Sequence, residues 1–281
     1  MPWRNRQEIA SIRSGPSQTP TGTFSLVNTN GFPKIAIVTG GSRGLGRNVV
    51  LSLARRGVDS IFTFHSNDTE AKKVVAEVEA LGQRAIALQL DAGNVSSFPA
   101  FRESVGQKLT EWGVGGFDYL VNNAGTALHK SFAETTEAEF DALYNVHFKG
   151  VYFLTQTLLT LLNDGGRIVN VSSGLARFSN PGSSAYASMK GAIEVLTRYL
   201  AKELGSRGIA VNTVAPGAIA TDFSGGMVRD NPELNKLISG MTALGRVGEP
   251  DDIGPMIASL LSEDNRWING QRIEVSGGMV L

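Results

Sequence analysis

The sequence has no cysteine in 281 residues, which excludes disulfides, thiolate-held metals and a cysteine nucleophile. It also lacks an excess of charge of either sign, with 26 Lys and Arg against 26 Asp and Glu. Without a basic run or stripe, a protein that grips nucleic acid through its phosphates is not expected. No apolar run approaches the roughly 20 residues that span a bilayer. The N-terminal region carries Arg4, Arg6 and Arg13 but no apolar core, so a secretory signal is not expected and the cytoplasm is the expected location. No metal site is expected either. Asp251 and Asp252 read as acids at a helix start, where the helix dipole favours them.

What the chain does have is glycine, 33 residues of it, with 42% apolar content. That is the composition of a turn-rich α/β enzyme. Residues 1–32 are polar and interrupted by Pro2, Pro16 and Pro20. They read as a flexible N-terminal arm, with an interface strand or helix as the alternative. Residues 33–281 read as one Rossmann-type domain. Strand-like runs at 34–39, 60–64, 84–90, 117–121, 167–171, 209–214 and 271–275 alternate with helical patterns. The helices are expected near 44–56, 68–81, 96–111, 136–162, 184–206 and 249–263. Several strands read as near-continuous apolar runs, as when helices cover both faces of a parallel sheet. The alternation implies right-handed crossovers and a doubly wound, seven-stranded parallel sheet. Segment 216–248 is too long for an ordinary connection and reads as a lid with its own short helix.

Thr39-Gly40-Gly41-Ser42-Arg43-Gly44-Leu45-Gly46 joins the first strand to the first helix. Glycines there allow a tight turn and close backbone approach, and a helix N-terminus favours a pyrophosphate. The spacing is G-x-x-x-G-x-G, so a turn without ligand stays open as an alternative. The second strand ends Phe62-Thr63-Phe64-His65-Ser66-Asn67. It lacks the acid that would bind a ribose 2′-hydroxyl and repel a 2′-phosphate. Arg43 supplies positive charge for a 2′-phosphate, with Ser66 and Asn67 as donors beside His65. An exposed turn arginine would look the same. NADP(H) is the cofactor expected.

Tyr186 and Lys190 share one helix face, one turn apart. A free phenol, with a pKa of about 10, relays protons poorly near neutrality. A neighbouring ammonium stabilises tyrosinate and lowers that value. Ser173, thirteen residues upstream at the end of a strand, can hold a substrate oxygen while Tyr186 protonates it. Tyr-x-x-x-Lys alone arises often by chance, and its weight comes from the upstream serine and glycine turn. No G-x-S-x-G surrounds Ser173, so a hydrolase nucleophile is not expected.

With these motifs in order, the chain resembles the short-chain dehydrogenase/reductase family over roughly residues 34–281. The matches are the turn 39–46, Asn122-Asn123-Ala124-Gly125, Ser173, Tyr186/Lys190, Pro216-Gly217 and the closing Gly270-Gln271…Gly277-Gly278. The resemblance implies a single Rossmann-type domain, an ordered proton relay and a set of residue roles. Gly40, Ser42, Arg43, Gly44, Leu45 and Gly46 would hold the cofactor phosphates. Asp91 and Ala92 would lie near the adenine. Asn123, Ala124 and Gly125 would follow the nicotinamide ribose, with Lys190 on its hydroxyls and Tyr186 adjoining. Ile219 and Thr221 would lie beside the carboxamide, with Pro216 and Gly217 also binding the cofactor. The Asn122-Asn123 pair could equally stabilise the sheet.

One departure matters. His147 stands where the family usually has an Asn that holds a water linking the lysine to solvent. His147 could hold that water, shuttle the proton itself, or be a packed helix residue. Asn145, two residues earlier, belongs to another helix face. Ser276 replaces a common Asp, and His129 reads as a surface residue. The expected activity is reversible reduction of a ketone or aldehyde, with Tyr186 as proton donor and Phe223, Met227 and Met241 at an apolar pocket. A 3-oxoacyl thioester, a sugar, a steroid or a small diketone are all candidate substrates. A non-catalytic NADP-binding sensor is the competing class, and the intact Ser173, Tyr186 and Lys190 set argues against it. A homotetramer or homodimer is expected through helices 136–162 and 184–206, with Val151, Leu154 and Leu158 on the outer faces.

Overall fold

The computed structural model describes residues 33–281, so the expected arm lies outside the described residues. Strand β1 (Ile35–Val38) is Ile-Ala-Ile-Val and wholly buried. Side chains alternate across a strand. Ile35 and Ile37 therefore meet one helical layer while Ala36 and Val38 meet the other. The same logic holds for β2 (Asp59–Phe64), β4 (Phe117–Asn122) and β6 (Ala210–Pro216), each buried along its length. With β3 (Ala85–Gln89), β5 (Leu162–Val171) and β7 (Arg272–Val275), they form one sheet in the order β3-β2-β1-β4-β5-β6-β7. Every pairing is parallel.

Helices α1 (Gly44–Ala54), α2 (Asp68–Ala80) and α9 (Pro250–Leu260) cover one face. The other face carries α3 (Phe98–Glu111), α5 (Gly150–Leu158) and α6 (Ser184–Glu203). Between them in sequence come α4 (Glu137–Tyr144), α7 (Met227–Asp230) and α8 (Pro232–Gly240). Helix α4 starts on a capping box in which Thr136 and Glu139 satisfy each other's backbone amides. The last two helices occupy the segment expected to form a lid.

The expected helix over 136–162 differs in a useful way. Between α4 and α5 the chain makes a π-helical turn, Asn145–Lys149, in which the Gly150 amide donates to the Asn145 carbonyl. A π turn inserts extra rotation, and such turns occur frequently at functional sites. The rotation carries Leu154 and Leu158 into the core, so they are not the outward-facing residues expected from sequence. Tyr152 and Phe153 face outward instead. The helix also stops early, because Leu162 already pairs with Phe117 at the start of β5.

Strands β1 and β4 are neighbours in the sheet but far apart in sequence. Their C-terminal ends send the chain to opposite sides of the sheet and leave a crevice between them, where ligands bind in open α/β sheets.

Candidate active site

Thr39 forms the floor of that crevice. Its hydroxyl accepts the amides of Asn123 and Ala124, both at 2.9 Å, and its carbonyl accepts the Asn123 side-chain amide at 2.9 Å. The glycine turn and the 122–125 loop are thereby one unit. Sequence reasoning placed Thr39 in the turn but gave it no role of its own. Gly40 has a φ of +67°, and a Cβ there would stand 3.1 Å from the Ala124 Cα. A Cβ at Gly46 would collide with the Gly40 carbonyl and the Asn123 amide. Only glycine fits either position.

Helix α1 opens into this crevice with Arg43 at its N-cap, no side-chain cap and no acid in its first turn. A helix N-terminus left in this state offers free amides and a positive dipole end to an anion. Arg43 is exposed and forms no ion pair among the described residues. Thr221 folds over the turn, so that a Cβ at Gly44 would lie 3.7 Å from its own Cβ. Ile219 is held beside it by a bridge to Gly248. Ser42 is buried in the turn, and Leu45 is half-buried. These features fit a dinucleotide's phosphates.

At the other end of the crevice His65, Ser66 and Asn67 are all exposed after β2. The Asn67 carbonyl caps α2 by accepting the Glu70 amide at 3.1 Å, which leaves only its NH2 group as a donor. Asp91 accepts the Gly93 amide at 2.9 Å and faces solvent, with Ala92 beside it. His65 and Asp91 line a cavity of about 450 Å³.

Ser173, Tyr186 and Lys190 come from the end of β5 and the start of α6. Ser173 caps a short 3-10 turn, Gly174–Ala176, through a 3.2 Å bond from the Leu175 amide. Tyr186 is half-buried. Burial pushes its phenol up from the ordinary value, and a hydrogen bond with Ser173 opposes that shift. The Lys190 ammonium is 5.5 Å from the centre of the Tyr186 ring and donates to the Val171 carbonyl at 2.7 Å. Burial lowers it to about 8.

His147 joins this group from the π turn. It is 1% exposed, and its ring stands edge-on to Tyr186 at 5.1 Å. Its Nε2 lies 2.8 Å from the Thr126 carbonyl and 3.1 Å from the Thr126 amide. The shorter contact suits the Nε2–H tautomer, which donates to the carbonyl and leaves Nδ1 a bare acceptor. That Nδ1 is buried and has no partner. A Cβ on Gly125 would approach the imidazole Cε1 to 2.6 Å, so glycine is needed there as well. Burial, reinforced by the Lys190 charge and opposed by the Thr126 backbone, pushes the imidazole down to about 3. A neutral His147 can hold a water. It does not suit a shuttle that titrates near neutrality.

The remaining expected residues divide. Phe223 stands 6.1 Å from the Tyr186 ring centre and is 44% exposed. Met227 and Met241 are similarly exposed. Pro216 ends β6 and Gly217 donates to the Val275 carbonyl at 3.0 Å. A Cβ at Gly217 would crowd Ser276, whose hydroxyl donates to Glu274 and accepts the Met279 amide. Ser276 thus braces the C-terminal turn. His129 is exposed and lies against Gly182. Asn122 donates to Thr155 and Asn170 inside the sheet layer. Among the described residues no His, Cys, Asp and Glu group is placed to hold a metal ion, and no helix is long and apolar enough to cross a membrane.

The family profile described as enoyl-(acyl carrier protein) reductase matches residues 40–280. The chain belongs to the short-chain dehydrogenase/reductase family. It is thus an oxidoreductase of a nicotinamide-dependent family. A hydroxynaphthalene reductase-like protein, Arp2 of Metarhizium brunneum, is 35% identical over 258 residues, covering 88% of this chain and 95% of that one. LugOII, a promiscuous reductase that catalyses keto-reduction at C1 during lugdunomycin biosynthesis, is 37% identical with a TM-score of 0.84. The alignment covers 88% of this chain and 98% of that structure. The angucycline C-6 ketoreductase LanV, solved with NADP, is 36% identical with a TM-score of 0.83, over 88% of this chain and 95% of its own.

The neutral imidazole has a consequence for stability. In the unfolded chain His147 protonates below about pH 6.5, whereas in the folded protein it does so only at about 3. Protons then favour the unfolded state throughout that window, so stability is full above about pH 6.5 and falls toward pH 3 by up to ~1.4 kcal/mol per pH unit. Chemical denaturation across this range should show a shallower loss for His147→Asn than for the unmodified protein. Parallel curves would mean that the imidazole is not held neutral.

Proposed function

We propose that this short-chain dehydrogenase/reductase is an NADP(H)-dependent enzyme that reduces a ketone or aldehyde to an alcohol, reversibly. The observation that carries the reading is the convergence of Ser173, Tyr186 and a buried Lys190 beside the crevice that begins at the glycine turn. Gly40, Ser42, Gly44, Leu45 and Gly46 hold the phosphates, and Arg43 with Ser66 and the Asn67 NH2 receives the 2′-phosphate. His65, Asp91 and Ala92 border the adenine end. Asn123, Ala124, Gly125, Pro216, Gly217, Ile219 and Thr221 border the nicotinamide end. The bound dihydronicotinamide supplies the hydride that the carbonyl carbon receives.

The Ser173 hydroxyl donates to the substrate oxygen and fixes its position. The Tyr186 phenol gives that oxygen its proton, and the Lys190 ammonium stabilises the tyrosinate left behind. In the reverse direction Tyr186 accepts the proton. The unpartnered Nδ1 of His147 is the acceptor that holds a water between Lys190 and solvent, the task for which the family usually uses Asn. LanV has also been solved with NADP and rabelomycin bound. That complex, with the naphthalene named for Arp2, supports a fused-ring ketone as substrate over a 3-oxoacyl thioester. Phe223 beside Tyr186 offers such a ring an apolar face.

The protein works in the cytoplasm as a homotetramer or homodimer. A groove of about 420 Å³ on the outer side of α5 and α6 is lined by Phe148, Tyr152, Val195 and Tyr199, and Tyr199 is 64% exposed. An apolar patch of this kind suits burial against a second copy across a two-fold axis. Light scattering at micromolar concentration should give a dimer or tetramer that Tyr199→Glu shifts toward monomer. A monomeric unmodified protein rejects the assembly.

The activity is tested by NADPH oxidation against a panel of ketones. Tyr186→Phe should lower turnover about 10²–10⁴-fold, the usual contribution of a positioned proton donor, with NADPH affinity and fold retained. Arg43→Ala should weaken NADPH selectively, by about 1.5–3 kcal/mol for a lost charge-assisted bond. Full turnover in Tyr186→Phe would reject the reading, and equal use of NADH by the unmodified protein would reject the coenzyme preference.

A further inference from the structure

Ser173 is useful only if its hydroxyl stays where a substrate oxygen will be, and the chain around it is a loop leaving a strand end. The loop is held by charged groups from two other parts of the fold, α6 and β7. Glu194 lies one turn beyond Lys190 on α6. Its Oε1 accepts the Ser172 hydroxyl at 2.8 Å and the Arg272 Nε–H at 2.7 Å. Arg272, on β7, also donates from Nη1 to Glu274 at 2.8 Å and from Nη2 to the Ser173 carbonyl at 3.4 Å. Glu274 receives both Nε and Nη2 of Arg177, at 2.7 and 2.8 Å. Arg177 then donates to the carbonyls of Met279 and Val280, at 2.8 and 2.9 Å.

The result is an alternating chain, Glu194, Arg272, Glu274, Arg177, whose charges sum to zero. It touches the catalytic loop three times: at the Ser172 side chain, at the Ser173 carbonyl and at Arg177. Glu194, Glu274 and Arg272 are its mostly covered members, with side chains 14%, 19% and 24% exposed, and of these Glu194 and Arg272 are the two that bond to residues 172 and 173. A partly buried bidentate network of this kind gives geometric specificity beyond its net energy. Docking β7 onto α6 needs no such precision, because Ile273 and Val275 already pack into the core on the other face of β7.

We propose that Glu194 and Arg272 are positioning residues for carbonyl reduction: they hold the backbone and side chain at 172–173 so that the Ser173 hydroxyl meets the substrate oxygen. The proposal rests on the reading of Ser173 given above. It predicts that Glu194 and Arg272 act through Ser173, and a double-mutant cycle isolates that dependence.

Single-turnover reduction of a ketone selected from the panel is measured in the full-length protein, with NADPH saturating. Arg272→Met should lower the rate about tenfold, within what a small misplacement of a reacting group costs. The NADPH dissociation constant and the ketone KM should change less than about twofold, since transition-state contacts weigh on turnover more than on ground-state binding. Glu194→Gln, which keeps a carbonyl acceptor for Ser172, should retain more activity than Glu194→Ala and guards against a variant that merely unfolds. In a Ser173→Ala background, Arg272→Met should add less than about a twofold further loss, because the group being positioned is gone. A full, additive tenfold loss in that background overturns the proposal, as does equal activity of the Gln and Ala forms. Full activity of Ser173→Ala by itself is a different failure: it removes the catalytic serine, and the positioning role falls with it.

Discussion

A lysine ammonium taken out of water at the end of the sheet sets the terms for everything around it. Lys190 is 5% exposed and meets a main-chain carbonyl rather than a carboxylate. A buried charge without an opposite partner costs several kcal/mol, and the cost is visible in the lowered affinity of Lys190 for its proton. Its field acts on two neighbours. It helps to keep His147 neutral, because two cations cannot share so small a dry space. In the proposed reaction it also favours the tyrosinate over the phenol, against the burial that pushes Tyr186 up.

The fold delivers these groups to one place through few connections. Thr39 ties the end of β1 to the loop after β4, which keeps the crevice open at a fixed width. The π turn between α4 and α5 points His147 inward at Thr126 and Gly125. Close approach recurs there: a Cβ at Gly150 would run into the Ala92 carbonyl and the Asn145 carbonyl. Glycines at 40, 46, 125 and 150 are thus places where backbone must pass backbone or ring, each for a different reason.

Much of this was legible in the sequence. The parallel sheet could be read because its central strands are buried on both faces and carry near-continuous apolar runs, most completely in Ile35–Val38. Ser173, Tyr186 and Lys190 could be read because their chemistry demands a spacing, and the glycine turn because its geometry demands a residue type. The helix over 136–162 misled because an i→i+5 turn leaves no mark on apolar periodicity, and everything beyond it is rotated. Asn163-Asp164-Gly165-Gly166 hid the start of β5 by resembling a turn. The role of Thr39, the partnership of His147 with Thr126, and the Glu194–Arg272 pair, 78 residues apart, are tertiary contacts between ordinary residues. Nothing local announces them.

The central claim of the proposed mechanism is that, in the NADP⁺ complex, the Lys190 ammonium and the oxidised nicotinamide bring the Tyr186 phenol down from the raised value that burial alone gives it. Ultraviolet difference titration of the NADP⁺ complex, with the Tyr186→Phe spectrum subtracted, reads the Tyr186 phenol alone. The account predicts ionisation below the free-phenol value of about 10, moving upward when Lys190 is replaced by Met. A phenol that ionises at or above that value, and does so equally with and without the lysine, would contradict it.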